Sequence, residues 1–132
     1  MKTMLTTVLD VGPSMDGKVK GAGNLQPAVS KISIAKTYYG TNLIQRMIAS
    51  KTTEFCLVTN GDDRTNNFLN QNQRGGYDRI NEIFDMRRGH ANIIEMVQDL
   101  SCGSAPGDTI DGIVVGFDLL DRSVIPHTSA TM

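Results

Sequence analysis

The sequence predicts one α/β domain in which helices cover a partly parallel β-sheet. Two short segments of apolar and β-branched residues, 4–9 and 53–59, are typical of buried strands. A segment with helical spacing of apolar residues separates them, and this strand, helix, strand order predicts a parallel pair with a right-handed crossover. The chain has 132 residues, of which 39% are hydrophobic, and this is enough for one domain with a core.

The first predicted strand, residues 4–9, leads into a polar turn. The sequence MLTTVL is followed by DVGPSM, which places the carboxylate of Asp10 and the hydroxyl of Ser14 just beyond the strand. Residues 16–27 contain three glycines and lack a period, so they predict a surface loop.

Residues 30–48 predict an amphipathic helix. Gly40 weakens this prediction by roughly 1 kcal/mol relative to alanine. The apolar residues that recur three, four or six positions apart are Ile34, Tyr38, Ile44, Met47 and Ile48, with Ala35 and Tyr39 beside them.

The second strand, residues 53–59, precedes a long polar segment. Residues 60–76 are rich in Asn, Asp and Gly, and they predict an exposed connection. Residues 77–86 leave two alternatives open, because their spacing fits both a strand and a helix. The strand face would hold Ile80, Glu82, Phe84 and Met86, whereas the helix face would hold Ile80, Ile83 and Phe84.

Two further helices are predicted towards the end of the chain. The first carries an i, i+3, i+4, i+7 stripe and stops before Gly103; the stripe consists of Ile93, Met96, Val97 and Leu100.

Asp108 is predicted to cap the second of these helices, with Asp111 in its first turn. Gly112 and Gly116 lie four positions apart and would allow close packing against a sheet. Residues 123–132 predict an irregular C-terminal tail. The apolar residues expected to face inward are Ile110, Ile113, Val114 and Phe117.

The charge and cysteine content exclude several classes of protein. Thirteen basic and fourteen acidic residues give a net charge of −1, which is unlike a domain that grips phosphates by itself. Cys56 and Cys102 form no C-x-x-C pair, so we expect a reduced intracellular compartment. No apolar run approaches the ~20 residues that span a bilayer, and we expect no membrane partner.

The residues that could bind a metal are Asp10, Ser14 and Asp108. A hard cation needs oxygen ligands from several loops, and α/β folds gather such ligands beyond the carboxyl ends of their strands. Gly12 supplies no side-chain ligand, so we expect no metal and no cofactor. We expect Asp10 and Ser14 to satisfy backbone groups of the turn instead.

The sequence predicts no enzyme. It lacks a P-loop and a nucleophile elbow, and the polar loop around Asp62 and Asp63 offers no pocket that would raise a carboxyl pKa. We expect both carboxylates and Asp85 to be solvated. His90 and His127 lack neighbouring ligands, and the basic cluster 86–90 is too short to hold DNA by itself.

Four segments in order resemble a known family. They are 8-VLDVGPSM-15, 62-DDRTNNFL-69, 76-GYDRINEI-83 and 107-GDTIDGIVVGFDLL-120. Asp10, Gly12 and Ser14 are similar to the D-x-S-x-S metal loop of von Willebrand factor A domains, with one serine missing. More closely, residues 1–122 resemble the N-terminal domain of the larger subunit of the Ku heterodimer, which binds broken DNA ends.

This resemblance implies a Rossmann-like, three-layer α/β/α domain with a degenerate metal site. It favours a strand for residues 77–86. It also implies that residues 4–9 form a central strand of a larger sheet, so we expect this chain to be an incomplete version of the domain, with one strand edge left unpaired.

The function implied by the resemblance is double-strand-break repair in the nucleus by non-homologous end joining, together with telomere maintenance. The implied partners are the smaller Ku subunit and end-joining factors, and DNA ends only within a full heterodimer. The family carries the name of an ATP-dependent DNA helicase, but no residues here support ATP hydrolysis. The alternatives are a metal-dependent ligand-binding A domain and a truncated homologue without function.

Overall fold

The computed structural model describes residues 3–19 and 28–124. It confirms an α/β fold with a mixed sheet. The elements in chain order are β1 (Met4–Asp10), a 3-10 helix (Pro13–Asp16), β2 (Lys18–Val19), β3 (Val29–Ser30), α1 (Lys31–Ala49), β4 (Glu54–Asn60), α2 (Phe68–Gln73), β5 (Ile80–Arg88), α3 (Ala91–Gln98) and α4 (Thr109–Val124).

The main sheet has three strands in the order β1-β4-β5. β1 and β4 are parallel, in a register that runs from Met4 opposite Glu54 to Asp10 opposite Asn60. The predicted parallel pair is therefore confirmed, with α1 as its crossover. β5 is antiparallel to β4, which leaves β1 at one edge of the described sheet.

The core lies on both faces of β4, whose residues alternate between two apolar clusters. Helices therefore cover both faces of the sheet. The α1-side cluster consists of Tyr39, Leu43, Phe55, Leu57, Phe84, Ile93 and Val97. The α4-side cluster consists of Cys56, Val58, Ile80, Val115 and Leu119.

β5 confirms the strand favoured for residues 77–86, although it begins at Ile80. Its predicted single apolar face is wrong, because the register with β4 shifts between Leu57 and Val58. Leu57 lies opposite Phe84 and Val58 opposite Glu82, so Ile83 is an extra residue in the strand. This bulge sends Ile80 and Phe84 to opposite faces of the sheet.

α1 forms where it was predicted, but it buries a different face. Tyr39 and Leu43 are its buried residues, whereas Tyr38 and Ile48 are 75% and 80% exposed. The helix packs against α3 and carries apolar residues on more than one side. Helical spacing alone therefore could not select the buried side.

α4 likewise turns a different face towards the sheet. The four residues expected to face inward, Ile110, Ile113, Val114 and Phe117, are all exposed. The buried residues are Gly112, Val115, Gly116 and Leu119, so the close packing predicted for the two glycines is present. A methyl group on Gly116 would lie 2.7 Å from Val8 Cγ2, and this shows how near the helix lies to β1.

The polar connection 60–76 is more ordered than predicted. It contains α2, and the Asn67 side chain caps that helix by accepting a hydrogen bond from the Asn70 N–H at 2.8 Å. The Asn67 amide also donates to the carbonyls of Tyr77 and Ile80, at 3.0 and 2.9 Å. Asn67 is buried, and these hydrogen bonds to three parts of the chain satisfy its polar side chain.

The remaining loops and helices differ from the predictions in small ways. Part of the loop 16–27 forms β2, which pairs antiparallel with β3, and residues 20–27 lie outside the described residues.

Ile93 and Val97 are buried in α3, as their spacing predicted. Residues 123 and 124, expected in the irregular tail, belong to α4, and 125–132 lie outside the described residues. No helix in the described ranges is long and apolar enough to cross a membrane.

Candidate functional site at the carboxyl edge of the sheet

The three residues singled out from the sequence lie around the carboxyl edge of the sheet, and two of them bind backbone groups. Asp10 ends β1, and its Oδ1 accepts a hydrogen bond from the Gly12 N–H at 2.8 Å. Asp108 precedes α4, and its Oδ1 accepts from the N–H groups of Ile110 and Asp111, at 2.9 and 3.1 Å. The predicted cap by Asp108 is confirmed, and Asp10 closes its own turn.

Ser14 belongs to the exposed 3-10 helix beyond β1. Its carbonyl accepts from the Gly17 N–H at 3.2 Å, and the Gly17 carbonyl accepts from the first N–H of α1, on Lys31. The Ser14 hydroxyl makes no hydrogen bond within the described residues, so the expectation that its side chain satisfies a backbone group of the turn is wrong. Within the described part of the chain, no three His, Cys, Asp or Glu residues form a group that could hold a metal ion.

Backbone segments approach one another closely at this edge. The Gly103 N–H donates to the Val11 carbonyl at 2.8 Å, and a Cβ on Gly103 would lie only 1.9 Å from the Gly61 carbonyl oxygen. Gly61 has a φ of +90°, and a Cβ there would lie 2.7 Å from Gly12 N. Glycines let the loops after β1 and β4 interlock with the loop before α4.

Asn60 ends β4 beside Asp10, and its side chain is enclosed by this packing. A Cβ on Gly107 would lie 2.1 Å from Asn60 Oδ1, and one on Gly112 would lie 3.2 Å from Asn60 Cβ. Asn60 Oδ1 is buried without a hydrogen-bond partner in the described chain. An unpaired buried acceptor costs about 1–3 kcal/mol, so this is a weak point of the edge.

Asp62 holds the loop after β4 in place. Its Oδ2 accepts from Thr59 Oγ1 and Asn81 Nδ2, at 3.0 and 3.1 Å, and its Oδ1 accepts from the Arg64 N–H at 3.0 Å. The expectation of a merely solvated carboxylate is wrong for Asp62. Three donors use its oxygens, so the carboxylate has a structural role that the sequence did not reveal.

Asp63 connects the same loop to the segment before α4. Its Oδ1 accepts from the Ser104 N–H and Oγ, at 2.8 and 2.7 Å, and from Arg79 Nη1 at 3.2 Å. The Ser104 hydrogen bonds, helped by Arg79, hold the pKa of Asp63 below its usual value. A general acid needs a raised pKa, so this carboxylate is unsuited to that role.

A polar cavity of about 540 Å³ opens beside these loops. Its lining includes the carboxylates of Asp62, Asp63 and Asp99, and the single guanidinium of Arg64. Three carboxylates and one guanidinium give the cavity a negative charge, which disfavours binding of the phosphates of a nucleic acid. The edge therefore offers a structured, mainly acidic surface.

Neither of the two thiols is activated as a nucleophile. Burial raises the pKa of Cys56 and of Cys102, so both thiols stay protonated near neutral pH. Cys56 Sγ donates to Thr6 Oγ1 at 3.3 Å inside the sheet. His90 precedes α3 and makes no side-chain cap, whereas His127 lies outside the described residues.

The basic cluster 86–90 is partly neutralised by its neighbours. Arg87 forms an ion pair with Asp85 and lies 6.0 Å from the centre of the Phe84 ring. Asp85 is thus paired instead of being a free solvated charge. Two arginines next to an acidic residue can make few phosphate contacts.

An apolar groove lies on the outer side of α1. It measures about 450 Å³ and includes Ile34 and Tyr38, which are 45% and 75% exposed. These side chains are four positions apart on one helix face. We call this surface the α1 groove; its lining is Val29, Ser33, Ile34, Thr37, Tyr38 and Thr41.

Curated relatives match nearly the whole chain. It is 30% identical over 121 residues to the ATP-dependent DNA helicase 2 subunit KU80 of Oryza sativa subsp. japonica, which is 92% of this chain and 16% of that protein. It is 25% identical to the X-ray repair cross-complementing protein 5 of Dictyostelium discoideum and 29% identical to KU80 of Arabidopsis thaliana, over 92% and 88% of this chain. The chain is thus similar to one segment of these Ku80 relatives and spans about 15–16% of their length.

Two further comparisons concern families and folds. No family model matches the chain. A solved structure from Vibrio fischeri, described as an uncharacterized membrane spanning protein, has a TM-score of 0.72 at 13% identity. The match covers 96% of this chain and 53% of that one, and it shows a shared fold alone.

Proposed function

We propose that this chain is a non-enzymatic protein-interaction domain of a Ku-like protein that repairs DNA double-strand breaks by non-homologous end joining. The observation that carries the proposal is the similarity to KU80, which extends over 92% of the chain. Similarity over so much of one domain favours a shared role for that domain.

The domain type in this proposal is a von Willebrand factor A fold. It is supported by the parallel β1–β4 pair, by helices on both faces of the sheet, and by the polar turn after β1. Asp10 and Asp108 direct oxygens to backbone N–H groups, as expected where the metal loop of such a domain has degenerated.

The absence of catalysis is part of the proposal, and the chemistry of the carboxyl edge supports it. Asp62 accepts three hydrogen bonds that fix loop structure, and the pKa of Asp63 is lowered. Neither carboxylate is arranged to exchange a proton with a substrate. The helicase wording belongs to the names of the relatives.

The proposed partner is the smaller Ku subunit, with end-joining factors as further partners in the nucleus. The net charge of −1 and the acidic lining of the edge disfavour DNA as a direct ligand. DNA ends would then be bound only by a full heterodimer, in which this domain makes peripheral contact. A role at telomeres would use the same protein contacts.

The surface that we assign to a partner is the α1 groove. Exposed aromatic and aliphatic side chains such as Tyr38 and Ile34 are the residues that anchor protein interfaces. The groove is lined by residues of β3 and of the first half of α1, and none of its lining residues supplies the side-chain hydrogen bonds that hold the carboxyl-edge loops. A partner can therefore bind there without breaking the fold.

The proposal is tested by capture of the purified smaller Ku subunit on the immobilised chain, with linear and closed circular DNA supplied in parallel at about 150 mM salt. We expect capture of the subunit and no retention of either DNA by the chain alone. Tyr38→Glu should weaken capture at least tenfold, roughly 1.4 kcal/mol, because it places a charge in the groove. Ile48→Glu is the matched control on the same helix outside the groove, and it should leave capture unchanged.

Other results would support the alternatives. Retention of linear DNA by the chain alone would contradict the inference from charge. Mg²⁺ binding by calorimetry that is lost in Asp10→Ala would support a metal-dependent A domain. Failure to bind the subunit, DNA and Mg²⁺ would indicate a homologue without this function.

A further inference from the structure

Asn60 and Gly61 form the one asparagine–glycine pair in the sequence. This pair is prone to spontaneous deamidation, because glycine has no side chain to hinder the attack of its backbone nitrogen on the asparagine amide carbon. The attack closes a succinimide ring, and the amide nitrogen leaves as ammonia together with the backbone proton. Water then opens the ring and leaves either aspartate or isoaspartate at the same position.

The peptide group that joins Asn60 to Gly61 is hydrogen-bonded on both sides. Its carbonyl oxygen accepts from the Val11 N–H at 2.8 Å, and its N–H donates to the Arg79 carbonyl at 2.9 Å. The nitrogen cannot turn towards the neighbouring side chain without breaking the bond to Arg79. The segments after β1 and before β5 therefore hold the reactive nitrogen in place.

The side chain of Asn60 is enclosed as well as its backbone. Asn60 is 4% exposed, which leaves little space for water beside the amide carbon. A Cβ on Gly107 would lie 2.1 Å from Asn60 Oδ1, and one on Gly112 would lie 3.2 Å from Asn60 Cγ. Ring closure requires the amide to turn towards Gly61, and such close packing resists that turn.

The same packing explains why glycine follows Asn60. Gly61 has a φ of +90°, and a Cβ there would lie 2.7 Å from both the nitrogen and the Cα of Gly12. A larger residue at position 61 would slow the chemistry, but it would also push apart the loops that follow β1 and β4. The reactive pair is thus a consequence of the close approach of these loops.

Either product of deamidation is incompatible with the folded edge. Aspartate would bury a charge where Asn60 Oδ1 already lacks a hydrogen-bond partner in the described chain, and Asp10 lies opposite in the β1–β4 register. Isoaspartate adds a methylene group to the backbone, so the hydrogen bonds to Val11 and Arg79 could not both form. A chain modified at this position therefore loses the packing that protected it.

We propose that Asn60–Gly61 is a deamidation site that the native fold keeps closed and that unfolding opens. In the unfolded chain the two hydrogen bonds and the enclosing glycines are lost, so ammonia leaves at the rate of a flexible asparagine–glycine pair. The modified chain does not refold, and time spent unfolded removes molecules from the native population irreversibly. This inference does not depend on the proposed function, because it uses the chemistry of one peptide group instead of the α1 groove.

Peptide mapping by mass spectrometry tests the proposal on chains incubated in mildly alkaline buffer, with and without unfolding concentrations of guanidinium chloride. We expect aspartate and isoaspartate at position 60 in guanidinium chloride. In buffer alone their formation should be at least about tenfold slower, because the reaction then waits for the edge to open. Asn72 is the internal control, since it is exposed and followed by Gln73, and it should change slowly in both solutions.

Leu119→Ala separates protection by the fold from the reactivity of the pair. The cavity that it creates beneath α4 should speed deamidation of Asn60 in buffer at least about tenfold, by raising the open population. The rate in guanidinium chloride should stay the same. Ile48→Ala, at a position that is 80% exposed, is the matched control and should alter neither rate.

Refolding by dilution completes the test, because the fraction that regains the native circular dichroism should fall in step with the modified fraction. Equal rates at Asn60 in buffer and in guanidinium chloride overturn the proposal, and so does an unchanged rate in buffer for Leu119→Ala. An Asn60→Asp variant that is as stable as the unmodified chain overturns the claim that modification blocks refolding.

Discussion

At the scale of single residues, the carboxyl edge shows that similar aspartates have different roles. Asp10 and Asp108 bind nearby backbone N–H groups, so their roles were accessible from the sequence. Asp62 and Asp63 accept hydrogen bonds from residues far along the chain, such as Asn81 and Ser104. These long-range partners leave no local pattern in the sequence, so the expectation of solvated carboxylates missed them, although Asp62 also accepts from the nearby Thr59 and Arg64.

The pKa of Asp63 leads to a prediction about acid. Ser104 lowers this pKa in the folded chain below the unfolded value of about 3.9. The unfolded chain therefore binds the proton more tightly, and the stability that Asp63 contributes is present above that value and is lost as the pH falls through the folded pKa. Ser104→Ala should raise the pKa of Asp63 and reduce the loss of stability on acidification.

The measurement is an NMR titration of the Asp63 carboxyl carbon, with melting temperatures recorded across the same pH range. Ser101→Ala, in the same loop but outside the hydrogen bonds to Asp63, is the control. A normal pKa for Asp63 in the unmodified chain, or an equal effect of both substitutions, would contradict the assignment.

At the scale of elements, α1 and α4 formed where their spacing predicted but buried other faces. Both helices carry apolar residues on more than one side, so periodicity located each helix without orienting it. The orientation of α4 follows from the size of its side chains, because Gly112 and Gly116 have none and let the helix lie against Asn60 and Val8. The larger Phe117 remains exposed.

The close packing of α4 predicts opposite effects of one substitution at two helical glycines. Gly116→Ala should lower the free energy of unfolding by about 1 kcal/mol or more, because its methyl group would lie 2.7 Å from Val8 Cγ2. Gly40→Ala in α1 should raise it by about 0.5–1 kcal/mol, since no atom lies within 4 Å of the added methyl group. Urea unfolding of both variants measures the difference; stabilisation by both would show that α4 lies farther from the sheet.

At the scale of the whole molecule, β4 joins the two layers of the core. Its neighbouring residues Leu57 and Val58 belong to the α1-side and α4-side clusters, and both are completely buried. A strand that is buried on both faces couples the layers, because neither can separate without exposing it. The described chain should therefore unfold as one unit.

Leu57→Ala and Leu119→Ala test this coupling from opposite sides of the sheet. Each should lower the free energy of unfolding by about 2–5 kcal/mol, since each creates a cavity in the core. Hydrogen exchange should accelerate in α1 and α4 together for either variant. Ile48→Ala, at a position that is 80% exposed, should change stability by less than about 0.5 kcal/mol. Acceleration confined to the altered side would show two independent units.

The sequence determined the features that depend on neighbours along the chain. The type and order of the main elements, the parallel strand pair, the cap by Asp108 and the role of the α4 glycines follow from propensity, spacing and small size. At the candidate site, the sequence predicted the backbone hydrogen bonds of Asp10 and Asp108. It did not predict the burial of Asn60, the structural role of Asp62 or the Asp63–Ser104 pair.

Tertiary structure decided what depends on contacts between distant segments. The bulge at Ile83 assigns Ile80 and Phe84 to opposite faces, because β5 must match its register to β4. The buried sides of α1 and α4 are set by the surfaces that they pack against. The hydrogen bonds from Asn81 to Asp62 and from Ser104 to Asp63 form only once distant segments meet, since these partners lie 19 and 41 residues apart in sequence.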